Sequence, residues 1–66
     1  MSKLKINDIE IEINTYIAKD KNWLLTEDRI FNGNDLVLCN LIVVDFYTKE
    51  TVFLDDVWEH DWIILN

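Results

Sequence analysis

The chain has 66 residues, half of them apolar, with three Trp, three Phe and two Tyr, one Gly and no Pro. Thirteen acids against six bases give a formal net charge of −7, which argues against direct contact with nucleic-acid phosphates or anionic membranes, since both call for Lys and Arg. Cys39 is the single cysteine, so no internal disulfide can form, no Cys/His pair has zinc spacing, and no apolar run is long enough to span a bilayer.

Residues 3–6 and 9–13 flank Asn7-Asp8 and read as a tight β-hairpin. Ile9, Ile11 and Ile13 alternate with Glu10 and Glu12, the period-2 pattern of a half-buried strand with the isoleucines inward. Asn and Asp tolerate the left-handed backbone such a turn needs. Residues 15–29 are less regular. A strand end, a polar turn at Lys19-Asp20-Lys21-Asn22 and a short strand over residues 23–25 compete with a short helix beginning near Thr26, with Glu27 and Asp28 in its first turn.

Asn32-Gly33-Asn34-Asp35 is a strong hairpin signal, and residues 36–47 follow as a long strand. Its apolar residues fall on both parities, so both faces should be covered. One face can meet the protein's own sheet; the other then needs a helix or another subunit. Thr48-Lys49-Glu50 reads as a turn and residues 51–54 as a return strand. Residues 55–60 read as a short helix or 3₁₀ turn capped by Asp55, and residues 62–65 as a final strand. The expected fold is mainly β: a small, strongly twisted antiparallel sheet or SH3-like partial barrel of five or six strands, with one short helical turn near residues 55–60, forming a single domain over residues 1–66. Local hairpins build it with little loop entropy.

A domain this short buries only about 60% of the surface its unfolded chain exposes, and a core this size rarely supplies more than roughly 3–5 kcal/mol. Without a disulfide or metal, self-association is the expected remedy, as a homodimer or higher oligomer through Leu36, Leu38, Leu41 and Val43. A lone cysteine in an apolar strand, with no apolar stretch behind the N-terminal lysines, suits a reducing cytoplasm. Cys39 itself reads as a small buried hydrophobe.

Chemistry has few candidates. Asp55, Asp56, Glu59, His60 and Asp61 form the densest polar cluster. On a helix Asp56, Glu59 and His60 would share a face, but no second cluster completes a metal site, and a solvated acidic turn explains them. There is no phosphate-binding glycine loop, no base beside Cys39 and no cofactor motif, so the expectation is a non-enzyme without metal or cofactor. The charge is one-sided. Residues 1–22 sum to zero, whereas residues 45–61 hold six acids (Asp45, Glu50, Asp55, Asp56, Glu59 and Asp61) against Lys49. Trp58, Trp62 and Tyr47 lie among them. The rings can be core, and the acidity can serve solubility alone. Aromatic anchors ringed by carboxylates also suit docking onto a basic protein surface. That reading selects Asp45, Tyr47, Glu50, Asp55, Asp56, Trp58, Glu59 and Asp61 as the partner-binding residues.

The ending Leu54-Asp55-Asp56-Val57-Trp58-Glu59-His60-Asp61-Trp62-Ile63-Ile64-Leu65 resembles the final strand entry of small phage proteins that sequester small molecules against host defence. Those are oligomeric and β-rich. The charged, Gly- and Trp-containing N-terminal half of that family is absent here, so no ligand-binding residues follow from the likeness. Size, acidity and the missing catalytic motif also resemble phage or mobile-element proteins that inhibit host enzymes, some by mimicking DNA charge. The leading expectation is an acidic interaction module that binds and blocks a host protein with a basic, nucleic-acid-binding surface. An oligomer that binds a small molecule between subunits, and a structural accessory subunit, are the alternatives.

Overall fold

The computed structural model describes residues 2–66 and is mainly β. It has six antiparallel strands in one open, twisted sheet. The elements in chain order are β1 (Ser2–Ile6), β2 (Ile9–Ala18), β3 (Trp23–Asn32), β4 (Asp35–Asp45), β5 (Glu50–Val52), a 3₁₀ turn (Val57–Glu59) and β6 (Trp62–Ile64). Strands β1 to β5 lie side by side in chain order, and β6 returns to β2. The outer edge of β2 is shared, with β1 along Ile9 to Ile13 and β6 along Tyr16 to Ala18. No helix among the described residues is long and apolar enough to cross a membrane.

The turns form where local backbone chemistry demands them. Asn7 takes a φ of 55° between β1 and β2, Gly33 a φ of 64° between β3 and β4, and Lys49 a φ of 65° entering β5. These left-handed positions suit Asn and Gly. Asp45 organises the third turn by accepting the Tyr47 and Thr48 N–H groups at 2.9 and 3.1 Å. At the 3₁₀ turn the cap is Asp56, not Asp55: its carboxylate accepts Trp58 N–H at 3.2 Å.

The region of residues 15–29 needs the largest correction. No helix starts at Thr26. Strands β2 and β3 run on as ten-residue partners, in register from Ile9 opposite Asn32 to Ile17 opposite Leu24. Sheet partners on both sides of β3 override its mixed local preference. At residue 37 a bulge interrupts β4. Ile30 faces Leu38 and Phe31 faces Leu36, leaving Val37 without a cross-strand partner.

The two faces of the sheet have unequal fates. Register places Asn14, Tyr16 and Ala18 of β2, Leu25 and Glu27 of β3, and Val43 of β4 on one face, called the inner face here. Ile9, Ile11 and Ile13 share the outer face with Leu4, Ile6, Ile30, Leu38 and Ile42. The buried residues among those described are Asn14, Ala18, Leu25, Glu27 and Val43, all on the inner face. The expected orientation of β2 is therefore reversed: Ile9 and Ile13 stand exposed, while the parity that carries Glu10 and Glu12 becomes the core side farther along. The connection from β5 to β6 explains this. It leaves the β4 side of the sheet, crosses the inner face with Trp58 edge-on to Tyr16 (ring centroids 5.7 Å apart), and lands on β2. Nothing crosses the outer face among the described residues.

Candidate functional site

Two groups of side chains stand out at the end of the sheet that the β5–β6 connection covers, called the closed end here, one inside it and one on its surface. The interior group centres on Glu27, which is only 2% exposed. Its Oε1 accepts from Asn14 Nδ2 at 3.1 Å and from the Tyr16 hydroxyl at 3.2 Å, and its Oε2 accepts from Arg29 Nη2 at 3.1 Å. Parity builds the cluster. Asn14 and Tyr16 are i, i+2 on β2, Glu27 and Arg29 are i, i+2 on β3, and Asn14 lies directly opposite Glu27. A carboxylate taken out of water requires such partners. Burial, and then the Glu27 charge, raise the Tyr16 phenol above its ordinary value. The same carboxylate raises Arg29. Asn14 Oδ1 is buried without a hydrogen-bond partner; turning the amide round would set an oxygen against the Glu27 carboxylate. The arrangement holds charge and orients rings. It offers no nucleophile, and no three His, Cys, Asp or Glu side chains converge to hold a metal among the described residues.

The surface group surrounds a groove of about 350 Å³ between β4 and the crossing segment. Leu41, Val43, Val52 and Trp58 form its apolar lining, with Phe53 and the carboxylates Asp55 and Asp56 beside them. Phe53 is 91% exposed and Trp58 51%. Of the residues selected from the sequence, Asp55, Asp56 and Trp58 meet at this groove. Glu59 lies one residue beyond Trp58 in the same 3₁₀ turn. Asp45 and Glu50 stand directly opposite each other where β4 meets β5, with Tyr47, 80% exposed, in the turn between them. Asp61 enters β6, and its carbonyl accepts Lys19 N–H at 3.1 Å.

Trp62 belongs to the interior instead. Its Nε1 donates to the Val57 carbonyl at 2.7 Å and thereby ties the 3₁₀ turn to β6. His60 packs edge-on against Trp23, with ring centroids 5.1 Å apart, and faces Trp62 at 6.4 Å. Among the residues expected at an oligomer interface, Leu36, Leu38 and Leu41 are exposed. Val43 is not: it is buried, opposite both Leu25 and Val52, because β5 reaches only that far along β4. Cys39 is exposed on β4 rather than buried, since β3 flanks β4 on one side at that level and β5 does not reach it on the other. Sequence reading missed Glu27 and Phe53. Had residues 23–31 been read as one strand, the shared parity of Leu25, Glu27 and Arg29 would have marked a carboxylate facing inward beside its own base.

In comparison with known proteins, the chain matches no protein family, no curated protein and no solved structure.

Proposed function

We propose that the protein is an acidic interaction module without chemistry of its own, and that its groove takes a segment of a partner protein bearing an apolar side chain flanked by Lys or Arg. The observation that carries this reading is the exposure of Phe53 and Trp58 beside an apolar groove that also holds the Asp55 and Asp56 carboxylates. Large aromatic groups in a concave, partly desolvated site are the usual anchors of binding energy. Carboxylates around them steer a cationic partner and reject an anionic one. A protein surface that binds nucleic acid has the complementary charge, so occupying it would block that binding. The chain would then act as an inhibitor of a host protein, in the manner of the small acidic phage proteins it resembles.

The test is titration with basic peptides carrying one Leu or Phe anchor, read by tryptophan fluorescence and calorimetry at low and high salt. Binding should weaken with salt. It should be lost in Asp55→Lys/Glu59→Lys and reduced in Trp58→Ala. Asp56 is left in place in these variants because it caps the 3₁₀ turn. Binding that ignores both the salt and the charge reversals overturns the reading.

A further inference from the structure

The β4 strand has a free edge that adjoins the groove at Leu41. On one side β4 pairs with β3 along its whole length, but on the other β5 covers only Val43, Val44 and Asp45. Residues 36–42 therefore form a bare sheet edge. Phe46 N–H donates to Asn22 O, on the β3 side. Antiparallel alternation from that point turns the N–H and C=O groups of Leu41 and Cys39 outward. The bulge at Val37 bends the start of the strand, leaving residues 38–42 as the straight stretch. Beyond that bulge, the devices that normally blunt an edge are absent: residues 36–44 contain no Lys, no Pro and no charged side chain. Leu36, Val37, Leu38, Leu41 and Ile42 are each between 41% and 57% exposed.

We infer that this edge pairs antiparallel with the same edge of a second copy of the chain, so that two sheets join into one across a two-fold axis. An antiparallel edge is its own complement under two-fold symmetry, and it satisfies outward amides that no element among the described residues reaches. Charge selects the second copy's approach. Two chains of −7 repel each other, and residues 36–44 of the β4 edge carry no carboxylate. Stacking of two outer faces is the competing geometry. It would bury Asp28, which lies on that face between Ile13 and Asn40. The strand-borne bases Lys3, Lys5 and Arg29 all lie on the inner parity. An unpaired buried carboxylate costs several kcal/mol, so edge pairing wins. Only residues 38–42 of each copy meet, a surface small by the standard of about 800 Å² per partner, and the dimer is a weak one.

The test is sedimentation equilibrium of the full chain under reducing conditions, from micromolar to millimolar concentration, at low and high salt. Mass should rise from monomer to dimer, and salt should strengthen the dimer by screening like charges, the opposite of its effect at the groove. Cys39→Pro removes an outward N–H and leaves the β3 ladder intact. Each substitution acts twice across the axis, so dimerisation should weaken more than about tenfold. Cys39→Lys, which keeps the backbone unchanged, provides the same readout if the proline variant does not fold. In the wild type a short bismaleimide linker through Cys39 should trap the dimer. A monomer at every concentration overturns the inference, as does a dimer that both folded variants leave unchanged.

Discussion

The two ends of the sheet are built from similar material and are treated oppositely. At the closed end, β2 from Asn14 onward, β3 as far as Glu27 and β4 from Val43 onward lie under the segment that joins β5 to β6, and every buried residue among those described is there. In the arm, formed by β1, the first half of β2, the second half of β3 and residues 36–42 of β4, an equally apolar set remains in water. Leu25 is 0% exposed, while Leu38, on a neighbouring strand of the same sheet, is 47% exposed. Alternation defines two faces of a strand, but burial depends on whether another piece of chain arrives to cover one of them. The closed end holds the fold; the arm leaves its apolar side chains in water.

Substitutions can break or sharpen this contrast. The largest effect is expected for Leu25→Ala, which deletes packing at the centre of the closed end and should cost about 2–5 kcal/mol. That is comparable with the whole stability of a chain this small, so the variant should lose its cooperative thermal transition by circular dichroism. Glu27→Ala comes next, at about 3 kcal/mol, because it strands the Asn14 amide and the Tyr16 hydroxyl without their acceptor. Urea melts should place Glu27→Gln between this variant and the wild type, since one acceptor oxygen survives.

Tyr16→Phe should cost about 1 kcal/mol and carries a pH signature. The native phenol holds its proton more tightly than the unfolded one, so its contribution is complete below the ordinary phenol value of 10.0. It is lost as pH rises through the higher folded value. Wild-type stability should therefore fall more steeply than that of the variant above about pH 10, measured by urea melts across that range. A parallel decline would show that Tyr16 does not titrate against Glu27. The smallest effect belongs to the arm: Leu4→Ser, on the outer face far from the β4 edge, should change the melting midpoint by no more than about 0.5 kcal/mol equivalent. A larger loss would mean that something covers the outer face in solution.

Much of the strand layout was legible, and the reason is local. Asn7-Asp8 and Gly33 mark turns through their backbone preferences, so the hairpins around them could be placed from neighbouring residues alone. The 3₁₀ turn was legible as well, although Asp56 rather than Asp55 proved to be the cap. Strand β3 was harder to read because Thr26, Glu27 and Asp28 are as acceptable in a first helical turn as in a strand; pairing with β2 and β4 decides it. Of the surface site, the sequence pointed to Asp55, Asp56 and Trp58 by composition. The groove that brings them against Leu41 and Val52 depends on where the crossing segment lies.

Periodicity and turn chemistry were enough to specify an antiparallel β protein, because each hairpin is closed by residues only a few positions apart. They could not say which face would be inside. The isoleucines of β2 suggested one face, and the return of β6 to the edge of β2 selected the other, since the chain between β5 and β6 can cross only one side of the sheet. That single crossing buried Glu27 with its partners and shaped the groove beneath Trp58. It also left the outer face and the β4 edge in water.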